Sequence, residues 1–391
     1  MRLLFVTPFY APEYKFGGPT LKIAGLARRL DQRGHSVNVL TFHSERPRDC
    51  GVQQVDGVAV QYLRWAGRGL RQFPTSSRLL RRAIVQADVA HFFGLYNLIC
   101  PFAGHYASRF GVPFFVEPMG MSVPRVHGFA RKRIYNRLIT QRLFGNAAAV
   151  IATSELEAEE IRASGMNANV VIRRNGIRLN ERVAPDEIQT IRGKWGIDSH
   201  QRVIGYFGRI SAKKRLVELV EAFSRAEIGD AKLVIAGPVS EPQYEGRVRK
   251  AIGSSARRQS IVLTGPMYGR EYAAALRALD VFVLPSENEN FGNAAGEAVA
   301  AGIPTLVTRQ CGIAPIIHEQ FGLAVDQGIE NLRRGLEQIL DPETRKRWSF
   351  DCRKIEAALG WEQPVNEMIG LYEEAVKKSG NGGAIRKTLK R

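Results

Sequence analysis

Short apolar runs alternate with helical stretches along almost the whole chain, and that alternation excludes most architectures open to 391 residues. In the first half the strand-like runs fall at 3–7, 36–42, 89–93, 113–116, 148–152 and 169–172. A helix is expected over 19–32, with Leu21, Ala24, Leu26 and Leu30 inward and Gly34 beyond its end. Residues 53–64 add a hairpin turned at Asp56-Gly57, and Ser154 with Glu157 reads as a capping box. After Asn175-Gly176, a turn signal, a second series follows at 203–207, 232–236, 260–263, 281–284 and 305–307. Consecutive βα series of this kind predict an α/β protein of two doubly wound, Rossmann-like domains facing across a cleft, over 1–175 and 176–360. Ligands of such sheets bind at the carboxyl ends of the strands, so the residues just after each strand carry the functional reading.

The four cysteines, Cys50, Cys100, Cys311 and Cys352, are too scattered for a disulfide framework or a zinc module and suit a reducing compartment. The first apolar run is too short and too soon interrupted to be a signal peptide. An uncharged window at 89–108 is long enough to span a bilayer, but His91, Gly94, Asn97, Pro101, Gly104 and His105 break it into strand, turn and helix. The net charge of +18 is unevenly placed: residues 1–175 carry 24 Lys and Arg against 11 Asp and Glu, 176–376 carry 26 against 27, and 377–391 carry six against none. A basic first half and tail favour anionic partners. Nucleic acid is a poor fit, since no binding module and no ladder of aromatic and basic residues is present. A membrane surface fits better. Residues 64–82 interleave Arg68, Arg71, Arg78, Arg81 and Arg82 with Trp65, Leu70, Phe73, Leu79 and Leu80, and residues 131–144 interleave Arg131, Lys132, Arg133, Arg137 and Arg142 with Ile134, Leu138 and Leu143. The competing reading turns Leu79, Leu80, Leu138 and Leu143 into a core, with the arginines merely solvated.

Two segments carry chemistry. After the strand ending at Phe207 come Gly208-Arg209-Ile210-Ser211-Ala212-Lys213-Lys214-Arg215 and then a helix, a strand-to-helix turn whose cations and amides suit a diphosphate. Its glycine spacing is not that of a Walker loop. After the strand ending at Leu284, Glu289 sits in a loop, Gly292 lets backbone approach a ligand, and Glu297, with seven residues between it and Glu289, lies in a helix of Ala and Gly. A carboxylate in such packing needs a partner, and vicinal sugar hydroxyls are one.

These residues resemble the retaining glycosyltransferases of family 4, the group 1 glycosyltransferases with the two-domain GT-B fold. Glu289 and Glu297 with the run Gly-Glu-Ala-Val-Ala-Ala-Gly, the Gly-Arg-Ile turn and its Lys, Leu233-Val234-Ile235-Ala236-Gly237, Asn175-Gly176-Ile177 and Gly17-Gly18 stand in family order. The resemblance implies an acceptor-binding domain over 1–175 completed by a crossover helix at 361–376, a nucleotide-sugar domain over 176–360, and a disordered basic tail at 377–391. It implies catalytic roles for Glu289, Arg209 and Lys214. Arg209 and Lys214 would hold the diphosphate of a UDP- or GDP-linked sugar, Glu289 with Asn290, Phe291 and Gly292 would face the sugar, Glu297 would bond the ribose, and Gly17 and Gly18 would form a close loop beside the diphosphate or acceptor. The acceptor would be a lipid-linked or polymeric glycan at the inner face of the cell membrane. No cofactor and no metal is expected, because cations and a helix dipole can offset the leaving charge.

Three departures from the family pattern stand out. Glu117-Pro118-Met119-Gly120 replaces the frequent His-Gly, and Met119 cannot donate the hydrogen bond of that His. Arg174 and Arg178 flank Asn175-Gly176-Ile177 where Pro and Asp are usual, and Arg215 replaces a frequent Gly. Met119 motivates the alternative of a catalytically silent nucleotide-sugar-binding or scaffold protein. Glu117 reads as a helix-cap or loop salt bridge, with tuning of the site as the alternative, and His127 as a solvated loop residue, with contact to the acceptor as the alternative.

Overall fold

The computed structural model describes residues 1–11, 18–42, 51–67, 72–75, 77–123, 129–178, 182–318 and 320–380, so Gly17 and His127 lie outside the described residues. The chain divides into two units, one of Met1–Gly176 with Trp361–Arg391 and one of Ile177–Gly360.

The first unit contains strands β1 (Arg2–Val6), β2 (Ser36–Phe42), β3 (Val52–Val55), β4 (Val58–Leu63), β5 (Trp65–Ala66), β6 (Phe73–Pro74), β7 (Val89–Phe93), β8 (Phe114–Glu117), β9 (Ala149–Ala152) and β10 (Val170–Ile172). Eight of them form one sheet in the order β10-β9-β8-β7-β1-β2-β4-β3, parallel except for the β3–β4 hairpin, while β5 and β6 pair separately. Asp56 and Gly57 turn that hairpin with φ of 50° and 84°, the left-handed pair that matches the strand twist. Leu4 and Val6 of β1 face one core and Leu3 and Phe5 the other. Helices covering both faces explain why the strands read as unbroken apolar runs. The uncharged window is β7, a turn and helix Ile99–Arg109, and no helix among the described residues is long and apolar enough to cross a membrane.

Helix Gly18–Gln32 buries Ile23, Leu26, Ala27 and Leu30 but leaves Leu21 52% exposed, because Lys22 takes the inward position instead. Asn175-Gly176 is not a left-handed turn. A Cβ at Gly176 would lie 2.2 Å from the Trp361 indole and one at Gly25 2.7 Å from it, so both glycines make room for that ring. Trp361 leads into helix Glu362–Ser379, whose Met368, Tyr372 and Ala375 join the core of Phe5, Phe93 and Phe115. This helix runs past residue 376, where the tail was expected to begin. Lys377 and Lys378 occupy its last turn, where cations complement the helix dipole, and Lys378 pairs with Glu374 at 2.6 Å. Residues 381–391 lie outside the described residues.

The second unit contains β11 (Arg202–Phe207), β12 (Ala231–Ala236), β13 (Ile261–Gly265), β14 (Val281–Leu284), β15 (Thr305–Thr308) and β16 (Gly322–Val325) in a wholly parallel sheet ordered β13-β12-β11-β14-β15-β16. β11 lies between β12 and β14, so the loops that follow these three strands emerge side by side. The first two touch: a Cβ at Gly237, whose φ is 146°, would lie 1.9 Å from the Gly208 carbonyl oxygen.

Candidate functional site

The loop after β11 passes through Gly208 and Arg209 into a single helical turn, Ala212–Lys214, and then helix Leu216–Arg225. Tyr206 hydroxyl donates to the Arg209 carbonyl at 2.9 Å, and a Cβ at Gly208 would sit 2.7 Å from that hydroxyl. Glycine is therefore required there if the bond is to hold the loop. Arg209 itself is exposed. Arg215 adopts φ of 53° and stands at the N-cap of the following helix without a side-chain bond to its first amides, while its guanidinium donates to the Glu218 side chain of that helix at 2.6 Å.

The loop after β14 is pinned on both sides. Glu287 N–H donates to the Lys213 carbonyl at 2.8 Å, tying it to the β11 loop. Glu289 N–H donates to Gln310, Gly312 N–H to the Glu289 carbonyl and Ile313 N–H to the Phe291 carbonyl, at 3.0, 2.9 and 2.7 Å. Gly292 has φ of 108° and ends this short ladder, since its missing Cβ would meet Ile313 at 3.0 Å. It is also the N-cap of helix Asn293–Ala300 and offers no side chain to the first amides. Gly296 in that helix admits Ile177, 2.8 Å from where its Cβ would be.

This scaffold brings Lys214 and Glu289 together. The buried Lys214 ammonium donates to Glu289 Oε2, which also accepts from Ser286 Oγ at 3.5 Å. Burial alone would raise the Glu289 carboxyl, but Lys214, Lys213 and Arg209 outweigh it and hold the pKa below the ordinary value. Glu289 is thus an anion at neutral pH beside cations. Glu297 does not join this pair. Its carboxylate accepts from the Tyr272 hydroxyl at 2.5 Å, and burial raises its pKa against that bond. The sequence reading missed Tyr272, Tyr206 and the 310–313 loop, because none of them forms a motif with Glu289 or Glu297.

In the first unit Gly18 opens a helix, and Glu117 is the last residue of β8 rather than a loop or cap residue. Its fully buried carboxylate meets the Lys22 ammonium, the Arg173 guanidinium at 2.5 Å and His91 Nε2 at 3.7 Å. Burial draws Arg173 down to about 10 and pushes Lys22 and His91 well below their ordinary values. His91 Nδ1 lies 2.7 Å from the Tyr372 hydroxyl, which ties the C-terminal helix to β7. Met119 and Gly120, with φ of 55° and 76°, turn the chain straight after β8. Glu157 fastens that turn by accepting from Gly120 N–H at 2.6 Å and from Thr153 N–H at 2.7 Å. The capping box is therefore only half formed: Ser154 Oγ accepts from Glu157 N–H, but the Glu157 carboxylate is used elsewhere.

The basic segments divide between core and surface. Leu80 and Leu143 are buried, whereas Leu79, Ile134 and Leu138 are 39%, 58% and 66% exposed. Arg68, Leu70 and Arg71 lie outside the described residues. Residues 136–140 form one wide π-turn, so the inward positions run Tyr135, Thr140, Leu143 and Phe144. The extra residue leaves Ile134 and Leu138 outside, beside the exposed Arg131, Arg133, Arg137 and Arg142.

Residues 17–176 match the glycosyl transferase 4-like domain and residues 187–354 match the glycosyl transferases group 1. The D-inositol 3-phosphate glycosyltransferase of Jonesia denitrificans is 24% identical, with 91% of each chain covered. The GDP-mannose:cellobiosyl-diphosphopolyprenol alpha-mannosyltransferase of Xanthomonas campestris is 24% identical over 82% of each chain. Anabaena HepE in complex with UDP superposes with a TM-score of 0.76 at 15% identity, over 96% of this chain and all of that one. Two family models covering most of the chain, and a GT-B neighbour matched from end to end, place it: the protein belongs to the group 1 glycosyltransferases, glycosyltransferase family 4, and has their GT-B fold.

Proposed function

We propose that the protein is a retaining glycosyltransferase that moves a sugar from a UDP- or GDP-linked donor to a lipid-linked or polymeric glycan, in cell-surface polysaccharide biosynthesis at the inner face of the membrane. The observation that carries this is the Lys214–Glu289 pair, built on loops at the carboxyl ends of neighbouring parallel strands with Arg209 alongside. Lys214 and Arg209 take the diphosphate, joined by the amides at the uncapped start of helix Asn293–Ala300. That positive field offsets the charge of the departing nucleotide without calling on a metal. Glu289 accepts from hydroxyls of the donor sugar, Asn290, Phe291 and Gly292 line its approach, and Glu297 accepts from the ribose. The second unit is the donor domain, and the first, with Gly18 opening helix Gly18–Gln32, binds the acceptor.

Transfer on this reading is a same-face attack in which the leaving phosphate oxygen takes the proton of the acceptor hydroxyl. Glu289, already paired with a lysine, serves as an electrostatic and hydrogen-bonding group rather than as a nucleophile. The test is nucleoside diphosphate release from a panel of UDP- and GDP-sugars with a lipid extract, with the anomeric configuration of the product read by NMR. Release and a retained configuration are expected. Nucleotide binding without release from any donor would favour the silent binder that Met119 suggests, and an inverted product would end the same-face mechanism.

The membrane seat is formed by the exposed Ile134 and Leu138 with Arg131, Arg133, Arg137 and Arg142, and by the exposed Leu79 with Arg78, Arg81 and Arg82. Each basic side chain near an anionic leaflet contributes about 1 kcal/mol. Sedimentation with vesicles should show binding that grows with anionic lipid, falls with salt, and drops when Arg78, Arg81 and Arg82 become Ser. Binding indifferent to that change and to deletion after Val376, or no binding at low salt, contradicts the assignment.

A further inference from the structure

Glu297 occupies a helix that cannot hold it: Ala294, Ala295, Gly296 and Ala298 around it carry no polar side chain. Among the described residues its hydrogen bond comes from Tyr272, on helix Gly269–Arg277, whose hydroxyl donates to Oε2 at 2.5 Å. The Tyr272 ring is itself fixed, tilted at 56° against Phe207 with centroids 5.7 Å apart, and Phe207 is the last residue of β11. A rigid aromatic anchored to the sheet thus fixes one oxygen of the carboxylate and orients the other.

Resting on the reading of Glu297 as the ribose acceptor, we infer that Tyr272 is a positioning residue that makes the donor site selective for ribonucleotides over 2′-deoxyribonucleotides. A carboxylate accepts from two vicinal hydroxyls only if its plane is fixed toward them, because each oxygen offers lone pairs in that plane. Tyr272 takes one lone pair of Oε2 and thereby sets the plane, leaving Oε1 and the second lone pair of Oε2 for the 2′- and 3′-hydroxyls. The same bond opposes the upward drift that burial imposes on the Glu297 carboxyl, and keeping the group ionised keeps it an acceptor.

The experiment compares the affinity of the full-length protein for a nucleoside diphosphate and for its 2′-deoxy analogue, using whichever of UDP and GDP the wild type binds more tightly. The wild type should prefer the ribonucleotide. Tyr272→Phe keeps the ring against Phe207 and should weaken the ribonucleotide about tenfold while shifting the 2′-deoxy analogue less than twofold. Tyr272→Leu, which also lacks the hydroxyl, should collapse the preference in the same way. Equal weakening of both nucleotides would reduce Tyr272 to a packing role and overturn the inference. An unchanged preference in the Tyr272 variants, with the preference lost in Glu297→Ala, would also overturn it while leaving the ribose reading intact. A preference that survives Glu297→Ala would instead remove the ribose reading itself.

Discussion

Glu289→Gln and Lys214→Ala should each slow turnover roughly 30- to 1000-fold without unfolding the protein, since one charge-assisted contact to a transition state contributes about 2–4 kcal/mol. Both side chains stand on loops pinned by backbone hydrogen bonds, so truncation leaves their supports in place. The two variants should differ in binding. Lys214 meets diphosphate in ground and transition states alike, so Lys214→Ala should weaken nucleoside diphosphate binding, whereas Glu289→Gln, acting on the sugar, should leave it nearly unchanged. Steady-state rates with a responding donor, beside calorimetry and melting curves, check the pair. Rates within threefold of wild type for both, at a normal melting temperature, would remove these residues from the chemistry.

The second large effect is on stability. Glu117→Leu strands Lys22 and Arg173 inside the first unit, where a buried charge left without its counter-ion costs on the order of 3–5 kcal/mol. Glu117→Leu combined with Arg173→Met should recover part of that loss, because it removes the larger of the unpaired cations together with its partner. The midpoint and slope of chemical denaturation measure both. A loss below about 1 kcal/mol for the single variant would mean that water or a neighbouring carboxylate such as Glu157 already neutralises the cations. The cluster joins β7, β8, the segment after β10 and the C-terminal helix, so the destabilisation should be confined to the first unit.

What the sequence revealed was local. The strands appear as apolar runs because helices bury both faces of each sheet, and Asp56-Gly57 marks a hairpin because only a left-handed pair closes it. The loops bearing Arg209, Lys214 and Glu289 were legible because each directly follows such a strand. What stayed hidden depends on contacts with no sequence period. Gly176 looked like turn punctuation, yet it is small because an indole 185 positions away lies on it. Leu21 looked inward on a helical wheel, but the attraction of Glu117 for Lys22 decided which side chain turns in. Ile134 and Leu138 could not be told from core leucines by 3.6-residue spacing, because the π-turn at 136–140 shifts the register by one residue. Glu297 was recognised as a carboxylate in need of a partner, while the Tyr272 that supplies it belongs to another helix.

The most direct test of the account is a crystal structure of the protein with the nucleoside diphosphate that it binds most tightly. The account predicts diphosphate oxygens within hydrogen-bond distance of Lys214 Nζ and the Arg209 guanidinium, near the first amides of helix Asn293–Ala300, and ribose hydroxyls on the Glu297 carboxylate with Tyr272 still bonded to it. A nucleotide bound elsewhere, or one whose diphosphate touches neither Lys214 nor Arg209, would contradict it.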